Sequence, residues 1–215
     1  FSLAKDGEKV VFIIDKDDYQ SSKFNKDIVV PYLIGDDLIN NVDQEHSRYI
    51  INFKTMSLDE AKEFSKEIEI VQLKVKPERD KVKRETYKKK WWQFAEKAVN
   101  LYQSINDKLQ FLVVAKTSKH LAFIYKNEKE TIYDQSLTVI SIEDRRFFPI
   151  LQSTIHNEWA RQHSTSQGGT PRYNPSNAFQ NFPLSLNFNS DTSEQLIQVG
   201  SSYYNVRNNV MLSVN

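Results

Sequence analysis

The stretch from Arg145 to Leu186, RRFFPILQSTIHNEWARQHSTSQGGTPRYNPSNAFQNFPLSL, sets a short helix, a polar loop and an aromatic–proline clamp in succession. Pro149 suits the first turn of a helix, where its missing N–H would be unpaired in any case. Leu151, Ile155 and Trp159 recur at every fourth residue, which predicts one apolar stripe with Gln152, His156 and Arg161 turned away from it. That helix has to end before Gly168-Gly169, because two glycines lose too much backbone entropy in a helix. Beyond the loop, Arg172-Tyr173, Phe179 and Phe182-Pro183 are candidate anchors. A mobile polar loop pinned at both ends by aromatic rings is suited to presenting side chains to a partner.

The rest of the chain can support such a loop. Its 215 residues are enough for one domain with a substantial core, and 13 Phe, 10 Tyr and 3 Trp argue for a packed globule over disorder. Cysteine is absent, which excludes a disulfide framework and a Cys-based zinc site and fits a cytoplasmic protein. No apolar run approaches the length of a membrane span, and no signal-peptide pattern is present. The chain opens at Phe1 and not at Met, as expected of a piece excised from a larger polypeptide.

Read in order, residues 9–14 (KVVFII) predict a buried strand, and Arg48 to Phe53 a second. Between them, Val29 to Asp37 reads as a loop with a turn at Gly35. Ser57-Leu58-Asp59-Glu60 is a capping box opening a short acidic helix to about Phe64. Residues 57–72 hold five acidic and two basic side chains, whereas Lys74 to Lys90 holds nine Lys/Arg against three acids, a local charge of +6. Such a run is most simply a solvated helix face. Tyr87, Trp91, Phe94, Ala98, Leu101 and Ile105 are spaced by threes and fours, which predicts one long amphipathic helix over 86–105, with Trp91 in the core and Trp92 off the stripe. Three strands follow, at Phe111 to Ala115, Leu121 to Tyr125 and Thr131 to Ile140, and their short polar connections predict an antiparallel meander. After a polar linker, Thr192 to Leu212 predicts a helix whose stripe of Leu196, Val199, Tyr203, Val206 and Val210 is fitted to dock on another helix. The fold class expected is α+β: a meander, a long amphipathic helix, a helix–loop recognition segment and a C-terminal helix.

Catalytic patterns are scarce. His156 and His163 lie seven apart without the Glu of a zinc-protease helix, so no metal site is assigned. Carboxylates are plentiful but scattered, and no nucleophile elbow or phosphate-cradling glycine loop is present. A small hydrolase using those carboxylates and His remains one alternative, and a protein–protein module built on the 163–173 loop another.

The run LQSTIHNEWARQH…PRYNPSNAFQNFPLSL resembles the C-terminal signature of target recognition domains in MmeI-like and related type IIG restriction–modification enzymes and their adenine-specific methyltransferase relatives. Phe179-Gln180-Asn181-Phe182-Pro183 matches, while Ser185 stands where the relatives have a last Pro. Pro31-Tyr32 with Gly35 and Asp37, the Arg48-Tyr49 strand and the Lys116–Lys119 loop match further elements, so the resemblance extends over most of the chain. Asn174-Pro175-Ser176-Asn177 is only half of the motif with which adenine methyltransferases hold the target base, and it reads as a turn. The cofactor-binding half of a methyltransferase and a nuclease motif are both missing from the sequence.

The resemblance implies a double-stranded-DNA target recognition domain over residues 1–186, with 187–215 a linker and the start of a C-terminal helical segment. It implies no catalytic, cofactor or metal residue in this monomeric fragment. S-adenosylmethionine, and Mg if a nuclease is present, would belong to a parent polypeptide whose methyltransferase domain acts in cis. The candidates to read bases are Gln167, Thr170 and Arg172, because the relatives' base-choosing side chains lie just before the Arg-Tyr. The candidates to hold phosphates are Lys88, Lys89, Lys90, Lys116, Ser118 and Lys119.

Overall fold

The computed structural model describes residues 12–94, 98–184 and 187–213, and only the backbone of Gln167. Its elements run β1 (Ile13–Asp15), α1 (Lys16–Ser21), β2 (Val29–Leu33), α2 (Gly35–Asn40), β3 (Arg48–Ile51), α3 (Leu58–Lys62), α4 (Ser65–Lys74), α5 (Lys76–Lys81) and α6 (Glu85–Lys89). Then come α7 (Val99–Ile105), β4 (Phe111–Ala115), β5 (Ile124–Lys126), β6 (Ile132–Tyr133), β7 (Leu137–Ile140), α8 (Phe147–Leu151) and α9 (Thr154–His163). The chain closes with β8 (Thr165–Gln167), β9 (Thr170–Arg172), a π-helical turn at Pro175–Phe179, and α10 (Ser190–Ser213). This is the α+β class that the sequence predicts. Residues 9–11 of the first predicted strand, and Ser185, lie outside the described residues.

Two compact units share the chain, each assembled from separated segments. The first takes residues 1–33, 46–99 and 130–135. It holds a four-stranded sheet in the order β1-β3-β2-β6, antiparallel except for β2 with β6. Ile28, Val29, Ile50, Ile51 and Phe53 are fully buried around it. The capping box forms as predicted: Ser57 Oγ accepts from the Glu60 amide at 3.3 Å and Glu60 Oε2 from the Ser57 amide at 2.7 Å.

The long helix expected over 86–105 is not there. Helix α6 stops at Lys89, and Ala98 has a φ of 41°, a left-handed conformation no helix accommodates. Tertiary contacts reward the break. Trp92 Nε1 and Gln93 Nε2 both donate to the Met56 carbonyl, at 2.9 and 2.7 Å. In consequence Trp92 is as buried as Trp91, at 8% and 9% exposed, and the two rings meet edge-on.

The second unit takes residues 34–45, 100–129 and 136–215. Its three-stranded antiparallel sheet has the order β5-β4-β7, not that of a meander. The third predicted strand splits at the polar Asp134-Gln135-Ser136: β6 joins the other unit's sheet, and β7 pairs with β4. Strand β4 is buried at every residue, as its unbroken FLVVA requires of a central strand. The loop expected over Val29 to Asp37 is instead strand β2 followed by helix α2, whose Gly35 amide donates to Ser136 Oγ at 2.8 Å. Helix α10 docks on α8 through Gly200, which meets Pro149, and through Tyr204 against Phe148 and Tyr125. The predicted stripe is therefore turned outward, with Val199, Tyr203, Val206 and Val210 all exposed.

Candidate nucleic-acid interface

Helix α9 carries the region of interest, and its phase departs from the sequence reading. Ser153 accepts from the His156 amide at 3.2 Å and caps a new helix there, so Leu151, at the end of α8, belongs to a different element. The buried face is His156 with Ala160; Ile155 is 74% exposed. His156 is wholly enclosed, against Phe123, Tyr173 and Phe182. Its Nε2 lies 3.1 Å from the Tyr173 hydroxyl. Burial pulls the imidazole pKa down to about 4 and raises that of the Tyr173 phenol. Both are neutral across the physiological range.

The predicted loop is an ordered hairpin. Strands β8 and β9 pair as Thr165 with Arg172, Ser166 with Pro171 and Gln167 with Thr170. The connection is Gly168-Gly169, at φ of 57° and 81°, the left-handed pair that a two-residue hairpin turn demands. Among the described residues, chain neighbours aside, nothing comes within 4 Å of where a Cβ would stand on either glycine. Alternation along the pleat puts positions 165, 167, 170 and 172 on one face and 166 and 171 on the other.

The base of the hairpin is tied to the loop after β4. Thr117 bridges to Arg172, the Tyr173 amide donates to the Lys116 carbonyl at 2.6 Å, and the Ser118 amide to Pro171 at 3.3 Å. Arg161 of α9 donates to the Lys119 carbonyl at 2.8 Å, closing the arrangement from the helix side. Asn174 Oδ1 accepts from the Ser176 amide, so Asn174-Pro175-Ser176-Asn177 opens a turn as expected.

The structure thus brings Gln167, Thr170 and Arg172 onto one hairpin face, with Lys116, Ser118 and Lys119 at its base. The Ser118 hydroxyl is engaged within its own loop, donating to the His120 carbonyl at 2.7 Å. Lys88, Lys89 and Lys90 belong to the other unit, where Lys88 pairs with Glu85 at 3.4 Å. Sequence reasoning did not single out Thr165, which pairs with Arg172 across the hairpin, or Thr117, which meets Arg172 through an isolated bridge outside the strands. A Gly-Gly pair between alternating residues is a hairpin signal that exposes the first; nothing local reveals the second. Among the described residues no cluster of three metal-ligating side chains occurs.

The model of the family described as "MmeI, target recognition domain" matches residues 2–186, a span that takes in both units' sheets, α9 and the hairpin. The chain belongs to the MmeI target recognition domain family. As such it is a recognition part and not a catalytic one. No curated protein matches it. Among solved structures, the type IIL restriction–modification enzyme MmeI, determined in complex with DNA, superposes with a TM-score of 0.73 at 18% identity over 92% of this chain. The match covers 26% of MmeI, so this chain corresponds to about a quarter of that enzyme.

Proposed function

We propose that the β8–β9 hairpin reads base edges in duplex DNA for a larger restriction–modification polypeptide. The observation carrying this is the register: the three nominated readers, Gln167, Thr170 and Arg172, share one face of a two-stranded ribbon with an open tip. A two-stranded ribbon is one of the shapes the major groove admits. Arg pairs bidentately with guanine and Gln with adenine, each good pair discriminating by about 1–3 kcal/mol, while a Thr methyl suits the thymine methyl. Thr165 and Thr117 beside Arg172 extend the same face. Lys116 and Lys119 at its base, and Lys88 to Lys90 in the first unit, hold phosphates and carry no sequence information. Ser118 contributes through its backbone, given its engaged hydroxyl.

In this reading residues 1–186 are the recognition domain, and 187–215 lead into a helical segment. The parent is a cytoplasmic adenine methyltransferase that flips its target base into a domain in cis. S-adenosylmethionine, and Mg2+ where a nuclease is present, are held by that remainder; no residue of this chain is assigned to either.

Sequencing the methylated sites of the full-length enzyme tests the proposal. Arg172→Ala or Gln167→Ala should relax the consensus at one or two positions, and Lys119→Ala should weaken all sequences alike. An unchanged consensus in both hairpin variants would remove base reading from this hairpin.

A further inference from the structure

The basic run of the first unit is less uniform than its sequence. All three of its acids are taken: Lys76 pairs with Asp80 at 2.8 Å, Lys81 with Glu78 at 2.6 Å and Lys88 with Glu85 at 3.4 Å. Five cations of the run are exposed and have no acidic partner among the described residues, and four of them, Lys83, Arg84, Lys89 and Lys90, lie together at its end, with Lys74 apart at its start. Positive charge is therefore concentrated on 83–90 and not spread along the run.

Beneath that patch lies a second cation. Arg79 is 1% exposed, and among the described residues its Nε has no hydrogen-bond partner and its guanidinium no ion pair. Its guanidinium rests 4.6 Å from the centroid of the Tyr87 ring and 5.7 Å from that of Phe12. Arg84 lies over the same Tyr87 ring, also at 4.6 Å, and donates to the Tyr87 hydroxyl at 2.9 Å. Burial lowers the Arg79 pKa, yet a guanidinium stays protonated at any physiological pH. Ring quadrupoles attract a cation but carry no net charge, so they leave its field uncancelled. Among the described residues this charge has no counterion, and a buried charge is screened little by solvent and projects its field to the nearest surface.

We propose that Arg84, Lys83, Lys89 and Lys90 form a seat for backbone phosphates of duplex DNA, with Arg79 a positioning residue that fixes Tyr87 and Arg84 from below. The anion sets negative charge against the cations of the Arg79–Tyr87–Arg84 stack. Duplex DNA as occupant rests on the reading proposed above; the seat itself needs no base sequence. It also changes which cations matter: Lys88, tied to Glu85, has less to give than Lys83 or Arg84.

The test is binding of the full chain to a non-target duplex as salt rises from about 50 to 200 mM. Arg84→Ala and Lys89→Ala should each flatten the log–log salt slope by about one unit, and the Lys83/Lys89/Lys90 triple alanine variant by two or more. Arg79→Met should weaken binding several-fold, while Arg79→Lys, which keeps the charge, should weaken it less. Thermal melts establish that each variant is folded, and the surface variants decide the matter even if Arg79→Met is not. Unchanged affinity and slope in Arg84→Ala and the triple variant overturn the seat, as does a wild-type chain that binds no duplex. Displacement of the duplex by inorganic phosphate beyond a chloride control of equal ionic strength would reassign the seat to a small anion. If Arg172→Ala relaxes the consensus while Arg84→Ala leaves the slope intact, the seat alone fails. The reverse pattern removes only the hairpin's reading role.

Discussion

Folding carries His156 from a pKa of 6.5 to about 4, entirely by desolvation, and this makes one side chain a source of acid sensitivity. At pH 7 both folded and unfolded chains hold it neutral, so it costs nothing. Below pH 6.5 the unfolded chain takes up a proton that the folded chain refuses, and stability falls until about pH 4. The shift corresponds to a loss of roughly 3 kcal/mol across that window. Denaturant titrations at pH 7 and near pH 4.5 should show a smaller loss in His156→Gln than in the parent chain, and equal losses would put the sensitivity elsewhere. The tryptophans give a second expectation at this scale. Trp91→Ala and Trp92→Ala should each cost about 3–5 kcal/mol in such titrations, and Trp92 no less, because the Met56 carbonyl loses a donor with it. Spacing alone places Trp91 inside and Trp92 outside. The partner that buries Trp92 is 36 residues away, and no local pattern encodes it.

Among the elements, the legible ones announce themselves within a few residues. The capping box at Ser57, the turn glycines and the unbroken apolar FLVVA strand are all of this kind. The illegible ones are those where tertiary contact overrides period: the interrupted 86–105 helix, the new cap at Ser153, and the two destinations of residues 131–140. Helix α10 shows both sides at once, since its existence follows from its sequence while its docking face does not. An exposed stripe of Val199, Tyr203, Val206 and Val210 has the spacing of a helix interface, yet Gly200 and Tyr204 make the contact. Gly200 is the reason: its missing side chain lets the backbone reach Pro149. In an open helix interior Gly→Ala stabilises by about 1 kcal/mol. Here the added Cβ would stand 2.9 Å from Pro149 Cδ, so Gly200→Ala should lower the melting temperature instead. A rise would mean that α10 shifts freely along α8.

For the molecule as a whole, class and family are within reach of the sequence, but its division into two units is not, because both are assembled from segments far apart in the chain. Of the candidate site, the hairpin residues are legible through the run leading to Arg172-Tyr173, and their shared face becomes evident only from strand register. The isolated chain should bind duplex DNA weakly, with affinity falling as salt rises, and transfer no methyl group when S-adenosylmethionine is added. Methylation by this chain alone would contradict its place as a recognition part. The open tip at Gly168-Gly169 has a consequence for how such a protein changes over generations. Side chains exchanged there meet nothing among the described residues, so what opposes them is the backbone strain of the positive φ at Gly168 and Gly169 and not the core. Exchange of the strand residues on either side, at 165, 167, 170 and 172, leaves both turn glycines in place. A lineage carrying this scaffold can drift in what its hairpin presents while every buried residue stays as it is.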